Sequence, residues 1–169
     1  KNADVIIEAV FENLTVKQDI VKQIEILARK DAVIATNTSS IPLEQIAEVM
    51  MQPERLVGIH FFNPVARMEL VEVVVGKKTT KAVSDMACSF VNQIKKLPLP
   101  VKSSPGFVIN RVLMPYLMAA VMLLEEGVRP ELIDQAAVHF GMLMGPVELA
   151  DTVGLDVCLA VAENLTSYY

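Results

Sequence analysis

Two cysteines, seven scattered glycines and no run of basic residues narrow the field before any motif is considered. Cys88 and Cys158 lie far apart and fit no metal or redox spacing, so two reduced core thiols in a reducing compartment are expected. No Gly-x-Gly-x-x-Gly opens a helix after a strand, so the turn that cradles a dinucleotide pyrophosphate is absent from this sequence. Lys and Arg number 15 against 20 Asp and Glu, a formal net charge of -5. Without clustered cations to displace counterions, a nucleic-acid groove is excluded. The most apolar stretch, Val112 to Leu124, is shorter than the ~20 residues of a membrane span and contains Pro115. It is expected to be a buried helix, with no membrane span. No secretory leader pattern, internal repeat or low-complexity segment is visible. The chain opens on Lys1 and reaches Tyr168-Tyr169 within a helical pattern, which predicts that both ends are cut from something longer.

What is present is apolar. The hydrophobic fraction is 53% and the charged fraction 21%, enough to bury a core and to suggest a partner surface. Asp4 to Val10 and Ala32 to Thr36 read as short buried strands rich in branched residues. Val16, Ile20, Ile24 and Leu27 recur at helical spacing between them. Pro42 suits a first helical turn, followed by Leu43, Ile46, Ala47 and Met50 on one face. Further strands are predicted at Leu56 to Phe61, Leu70 to Val75 and Leu97 to Val101, the last marked as a sheet edge by its two prolines. Val83, Met86, Ala87, Phe90, Val91 and Ile94 form another helical stripe. This alternation predicts an α/β sheet with right-handed crossovers. From Phe107 onward only helical periodicity remains, broken at Gly127, at Gly141 to Pro146 and near Gly154. The expected organisation is α/β plus all-α, with domains at 1–104 and 105–169.

Several polar residues sit where the pattern does not ask for them. Glu72 interrupts Leu70-Val-Glu-Val-Val-Val75, and a carboxylate in a buried strand is costly unless paired. His60 lies among apolar neighbours in the preceding strand. If the strands adjoin, a His–Glu pair solves both problems, fixes the ring tautomer and prepares a general base. Otherwise His60 is a satisfied core histidine and Glu72 faces solvent at an edge. Asn37-Thr-Ser-Ser40 and Asn63-Pro64 end strands, at the sheet edge where ligands bind in open α/β folds, and equally suit turns and caps. Ser39 is the candidate ligand donor there. Asn110 lies one turn into an apolar helix and needs a partner. Glu12 and Lys17 follow the first strand, where a solvated helix start is the plain alternative. His139 is assigned no role.

These segments carry a resemblance. Asn37-Thr-Ser-Ser40, Gly58-Ile-His-Phe-Phe-Asn-Pro64, Leu70-Val-Glu-Val73, Pro105-Gly-Phe-Val-Ile-Asn-Arg111 and Met144-Gly-Pro146 come in the order and spacing of L-3-hydroxyacyl-CoA dehydrogenases. The resemblance covers essentially the whole chain. Glu8-Ala-Val-Phe-Glu-Asn13 and Arg67-Met-Glu-Leu-Val71 are most similar to the dehydrogenase part of bacterial multifunctional fatty-acid oxidation α subunits. It implies the second half of a Rossmann-like NAD-binding domain followed by the start of a helical substrate and dimerisation domain. It also implies NAD-dependent oxidation of the 3-hydroxyl of a 3-hydroxyacyl-CoA in β-oxidation. On that likeness His60 takes the hydroxyl proton, Glu72 orients it, and Ser39 and Asn110 hold the substrate oxygens. Val10, Phe11, Glu12, Lys17, Ser39 and Asn63 would line the NAD site, and no metal is required.

The resemblance further implies a homodimer through the helical domain, a thiolase β subunit as a partner of the parent complex, and a cytoplasmic bacterial enzyme (mitochondrial or peroxisomal in a eukaryote). The family's Gly-rich turn would precede Lys1, so this stretch alone is expected to bind NAD weakly or not at all. Competing readings are a crystallin-like structural protein, a free hydroxy-acid dehydrogenase of the same fold, and a bare oligomerisation module. The complete set of His60, Glu72, Ser39 and Asn110 disfavours the structural reading.

Overall fold

A computed structural model of the chain describes residues 2–166, so the predicted continuation of helix into Tyr168-Tyr169 lies outside the described residues. The chain divides into two units, Lys1–Phe107 and Val108–Tyr169. The first is a five-stranded sheet in the order β1-β2-β3-β4-β5, with β1 at Val5–Glu8, β2 at Val33–Thr36, β3 at Leu56–Phe61, β4 at Leu70–Val75 and β5 at Leu97–Lys102. The strands β1, β2 and β3 run parallel, β4 is antiparallel to β3, and β5 is parallel to β4. The prolines Pro98 and Pro100 lie in β5, the sheet edge, where a missing N–H costs no ladder bond on the open side.

Alternate strand residues build a core on each face. Ile34, Leu56 and Val74 pack with Val21 of α1 (Leu14–Leu27) and with Leu43 and Ile46 of α2 (Leu43–Ala47). Val33, Ala35, Val57, Ile59, Val71 and Val73 pack with Ala87 and Val91 of α3 (Lys81–Gln93). Strands covered on both faces must be apolar at every position, which is why they read as continuous Val and Ile runs. Gly58 lets β3 and β4 approach, since a Cβ added there would lie 2.6 Å from Val74 Cβ.

One local expectation is corrected. The second helix stops at Ala47 rather than reaching Met50, because the Glu25 carboxylate draws the Met51 and Gln52 N–H groups into a turn at 2.9 and 2.7 Å. Pro42 is its N-cap, and the Pro42 carbonyl accepts from the Gln45 and Ile46 N–H groups at 3.1 and 3.5 Å to open the first turn. The fully buried Phe107 ring, just past the expected boundary, packs into the sheet core. That placement follows a turn in which Gly106 and Phe107 both take positive φ, 68° and 49°. The strain of a non-glycine residue there is offset by burial of its ring.

The second unit contains α4 (Ile109–Glu125), α5 (Pro130–Phe140), α6 (Pro146–Val153) and α7 (Leu155–Thr166). Met114 and Leu117 of α4 pack against Leu149 and Ala150 of α6 and Val161 and Leu165 of α7. The Val112 to Leu124 stretch is helical but buried on one side only: Met114, Leu117 and Ala120 are buried, and Val112, Met118, Val121, Met122 and Leu123 are exposed, because α6 and α7 cover one side of it. Cys88 and Cys158 are free and half-buried at core margins rather than within a core. Among the described residues no helix is long and apolar enough to cross a membrane.

Candidate active site

The antiparallel register of β3 and β4 places His60 directly opposite Glu72. Nδ1 of His60 lies 2.8 Å from Oε2 of Glu72, and the two residues are 6% and 0% exposed. A carboxylate only accepts, so in the neutral ring the shared proton sits on Nδ1 and Nε2 keeps its lone pair. Phe62 and Phe107 pack against the ring with centroids 4.5 and 5.7 Å away, fixing its plane. Charge and hydrogen bond thus meet in an apolar surround, where each is stronger than in water. The solvent-facing alternative for Glu72 does not hold.

The end of β3 needs support, because its ladder with β2 stops at Thr36 and Gly58 while β3 continues to Phe61. Asn37 supplies it: the side-chain oxygen accepts from the Phe61 N–H at 3.0 Å. A turn-forming asparagine therefore extends the strand that carries the base.

A second cluster lies where β1 and β2 end. Lys17 is 1% exposed, not solvated as a helix start would be. Its ammonium donates to both oxygens of the buried Glu8 at 3.1 Å and to the Val10 carbonyl at 3.3 Å. It also lies 3.4 Å from Oε2 of Glu12. Oε1 of Glu12 accepts from the Thr38 hydroxyl at 2.6 Å and from the Ser39 N–H at 2.9 Å, with the Ser39 hydroxyl at 3.2 Å. Burial pushes the Glu12 carboxyl up, but the Thr38 hydroxyl, the Lys17 charge and the Ser39 N–H outweigh it and hold the group below its ordinary range. Glu8 also accepts from the Thr36 hydroxyl and from the Val10 N–H. Sequence assigns no role to Glu8 or Thr36, and within Asn37-Thr-Ser-Ser40 it picks out Ser39 rather than Asn37 or Thr38. Glu8 closing an apolar strand, like Glu72 interrupting one, was the available signal.

The remaining candidates are placed as follows. Val10 and Phe11 follow β1 and are exposed, Phe11 at 83%. Asn63 is exposed in the β3–β4 connection. Because β1, β2 and β3 are parallel, Val10 to Glu12, Asn37 to Ser40 and Asn63 follow strand ends on one edge of the sheet. Asn110 is half-buried in the first turn of α4, in the second unit. Among the described residues no group of three His, Cys, Asp or Glu side chains is placed to hold a metal ion.

A carboxylate-held imidazole beside the ligand edge of a largely parallel sheet is the equipment of an α/β enzyme with a general base. Comparison with known proteins narrows this. The family model described as 3-hydroxyacyl-CoA dehydrogenase, NAD binding domain, matches residues 1–104, and its C-terminal domain model matches residues 106–169. The chain belongs to the 3-hydroxyacyl-CoA dehydrogenase family. It is 42% identical over 167 residues to a 3-hydroxybutyryl-CoA dehydrogenase of Clostridioides difficile, covering 98% of this chain and 59% of that protein. It is 43% identical over 157 residues to a fatty acid oxidation complex subunit alpha of a Shewanella species, covering 93% of this chain and 22% of that subunit. The solved (S)-3-hydroxybutyryl-CoA dehydrogenase of Ralstonia eutropha superimposes with a TM-score of 0.92 at 42% identity, covering 97% of this chain and 59% of that one. The chain therefore spans 22% to 59% of the length of these relatives.

Proposed function

We propose that the protein carrying this chain is an NAD-dependent L-3-hydroxyacyl-CoA dehydrogenase that oxidises the 3-hydroxyl to a ketone. The observation that carries the reading is the buried His60–Glu72 contact of 2.8 Å. His60 Nε2 accepts the hydroxyl proton, and Glu72 stabilises the imidazolium that results. Ser39 and Asn110 hold the substrate oxygens. The exposed apolar surface of Val10 and Phe11, with the half-buried Ser39 bonded to Glu12, fits a nicotinamide ring with a polar carboxamide. Glu12 with Lys17, and Asn63, complete that side. NAD+ bound there supplies the acceptor for the hydride that leaves the hydroxyl-bearing carbon. Within this sequence the residues fit the nicotinamide half of the cofactor and include no glycine-rich turn for its pyrophosphate.

On this reading residues 1–104 contribute the nicotinamide side of the NAD-binding domain and residues 105–169 begin the helical domain. Exposed Val112, Met118, Val121 and Met122 on α4 support a homodimer through that domain. A thiolase β partner and a cytoplasmic setting fit the likeness to fatty acid oxidation complex subunits. The full-length protein is expected to reduce acetoacetyl-CoA with NADH, followed by the loss of NADH absorbance. No rate above the enzyme-free blank with acetoacetyl-CoA, or with longer 3-ketoacyl-CoA substrates, would refute the assignment.

A further inference from the structure

We propose that Glu8 and Lys17 are positioning residues, which act through Glu12 to hold the Thr38–Ser40 segment and so place the Ser39 hydroxyl. The proposal rests on the dehydrogenase reading for what Ser39 does, and on the geometry alone for how Ser39 is held. A lysine ammonium has three protons to donate. Four acceptors surround this one: both oxygens of Glu8, the Val10 carbonyl and Oε2 of Glu12. With 1% exposure the Lys17 side chain is held among these acceptors rather than in solvent.

The chain of contacts is continuous. Thr36 and the Val10 N–H fix the Glu8 carboxylate, and Glu8 fixes the Lys17 ammonium. Lys17 attracts one oxygen of Glu12 and leaves the other to the Thr38 hydroxyl and to the N–H groups of Ser39 and Ser40, at 2.9 and 3.2 Å. Two N–H groups converging on one carboxylate oxygen tie a loop that would otherwise be free to move. The device joins the ends of β1 and β2 to the start of α1, so the loop inherits the rigidity of the sheet. Small displacements of a catalytic hydroxyl are costly, since reacting groups must be held close to the productive geometry.

The test uses the full-length protein and two readouts. Hydrogen exchange is followed over the segment 37–43 in Glu8→Gln and in Glu12→Gln, the second variant serving if the first fails to fold. Exchange of that segment is expected to rise about 10-fold or more, with β3 and β4 unchanged, because local opening is read segment by segment. The second readout is a double-mutant cycle on kcat for acetoacetyl-CoA reduction. Glu8→Gln, or Glu12→Gln in its place, is expected to slow the wild-type background about 10-fold and the Ser39→Ala background less than about 2-fold, the coupling expected of groups that act as a unit. Unchanged exchange over 37–43 in a folded variant overturns the proposal, as does equal slowing in both backgrounds. An inactive wild type would refute the dehydrogenase reading instead, and the exchange result would still decide whether Glu8 and Lys17 hold the loop.

Discussion

Replacing His60 by glutamine in the full-length protein is expected to lower kcat by about 10²–10⁴-fold, the usual worth of a positioned general base. Glutamine keeps an N–H that can donate to Glu72, so the buried carboxylate is not left alone and the fold should survive. It offers no basic lone pair in place of Nε2. The loss should therefore fall on turnover, with the KM for NADH changing little and the melting temperature close to that of the wild type. Steady-state kinetics with acetoacetyl-CoA and NADH, beside a thermal melt, separate the two effects. A variant that retains wild-type turnover would remove His60 from the chemistry.

The second large effect is expected at Glu72. In Glu72→Gln the amide oxygen still accepts from Nδ1–H, so the neutral ring stays in place and the melting temperature should hardly move. The negative charge is gone, and with it the attraction that develops when the ring takes a proton. At about 4 Å and an effective dielectric near 20 that attraction is ~4 kcal/mol. Its full loss corresponds to about 10³-fold in rate, which sets the upper bound for the drop in kcat. Glu72→Leu should behave differently, because a buried N–H then has no acceptor, at a cost of about 1–3 kcal/mol in stability. A comparison of urea midpoints for the two variants reads that difference. Equal stability of Glu72→Gln and Glu72→Leu would show that the contact contributes nothing to the fold.

The sheet was largely legible because its strands are buried on both faces. Leu56 to Phe61 and Leu70 to Val75 are strands over those same residues, since a continuous run of branched side chains can be satisfied in few other ways. The pairing of His60 with Glu72 was legible for the same reason: each is an expensive polar group in an apolar strand, and the two solve one problem. Lys17 was harder. In sequence it is an ordinary lysine in the first turn of an amphipathic helix, and its partners Glu8, Val10 and Glu12 lie in the strand and connection before that helix. Nothing local distinguishes it from a solvated lysine. The second helix was overestimated because Glu25, which ends it, acts from another element. The composition of Val112 to Leu124 records how apolar the helix is and does not say what covers it. The places of Val10, Phe11 and Asn63 at strand ends followed from topology, whereas their exposure required the structure.

The role of His60 as a base turns on one proton position. In protein with ¹⁵N-labelled histidine, the nitrogen shifts of the neutral His60 ring report which ring atom carries the hydrogen. The spectrum of His60→Gln assigns the signals. The structure predicts a protonated Nδ1 facing Glu72 and an unprotonated Nε2. A ring protonated at Nε2, with Nδ1 bare against the carboxylate, would contradict it.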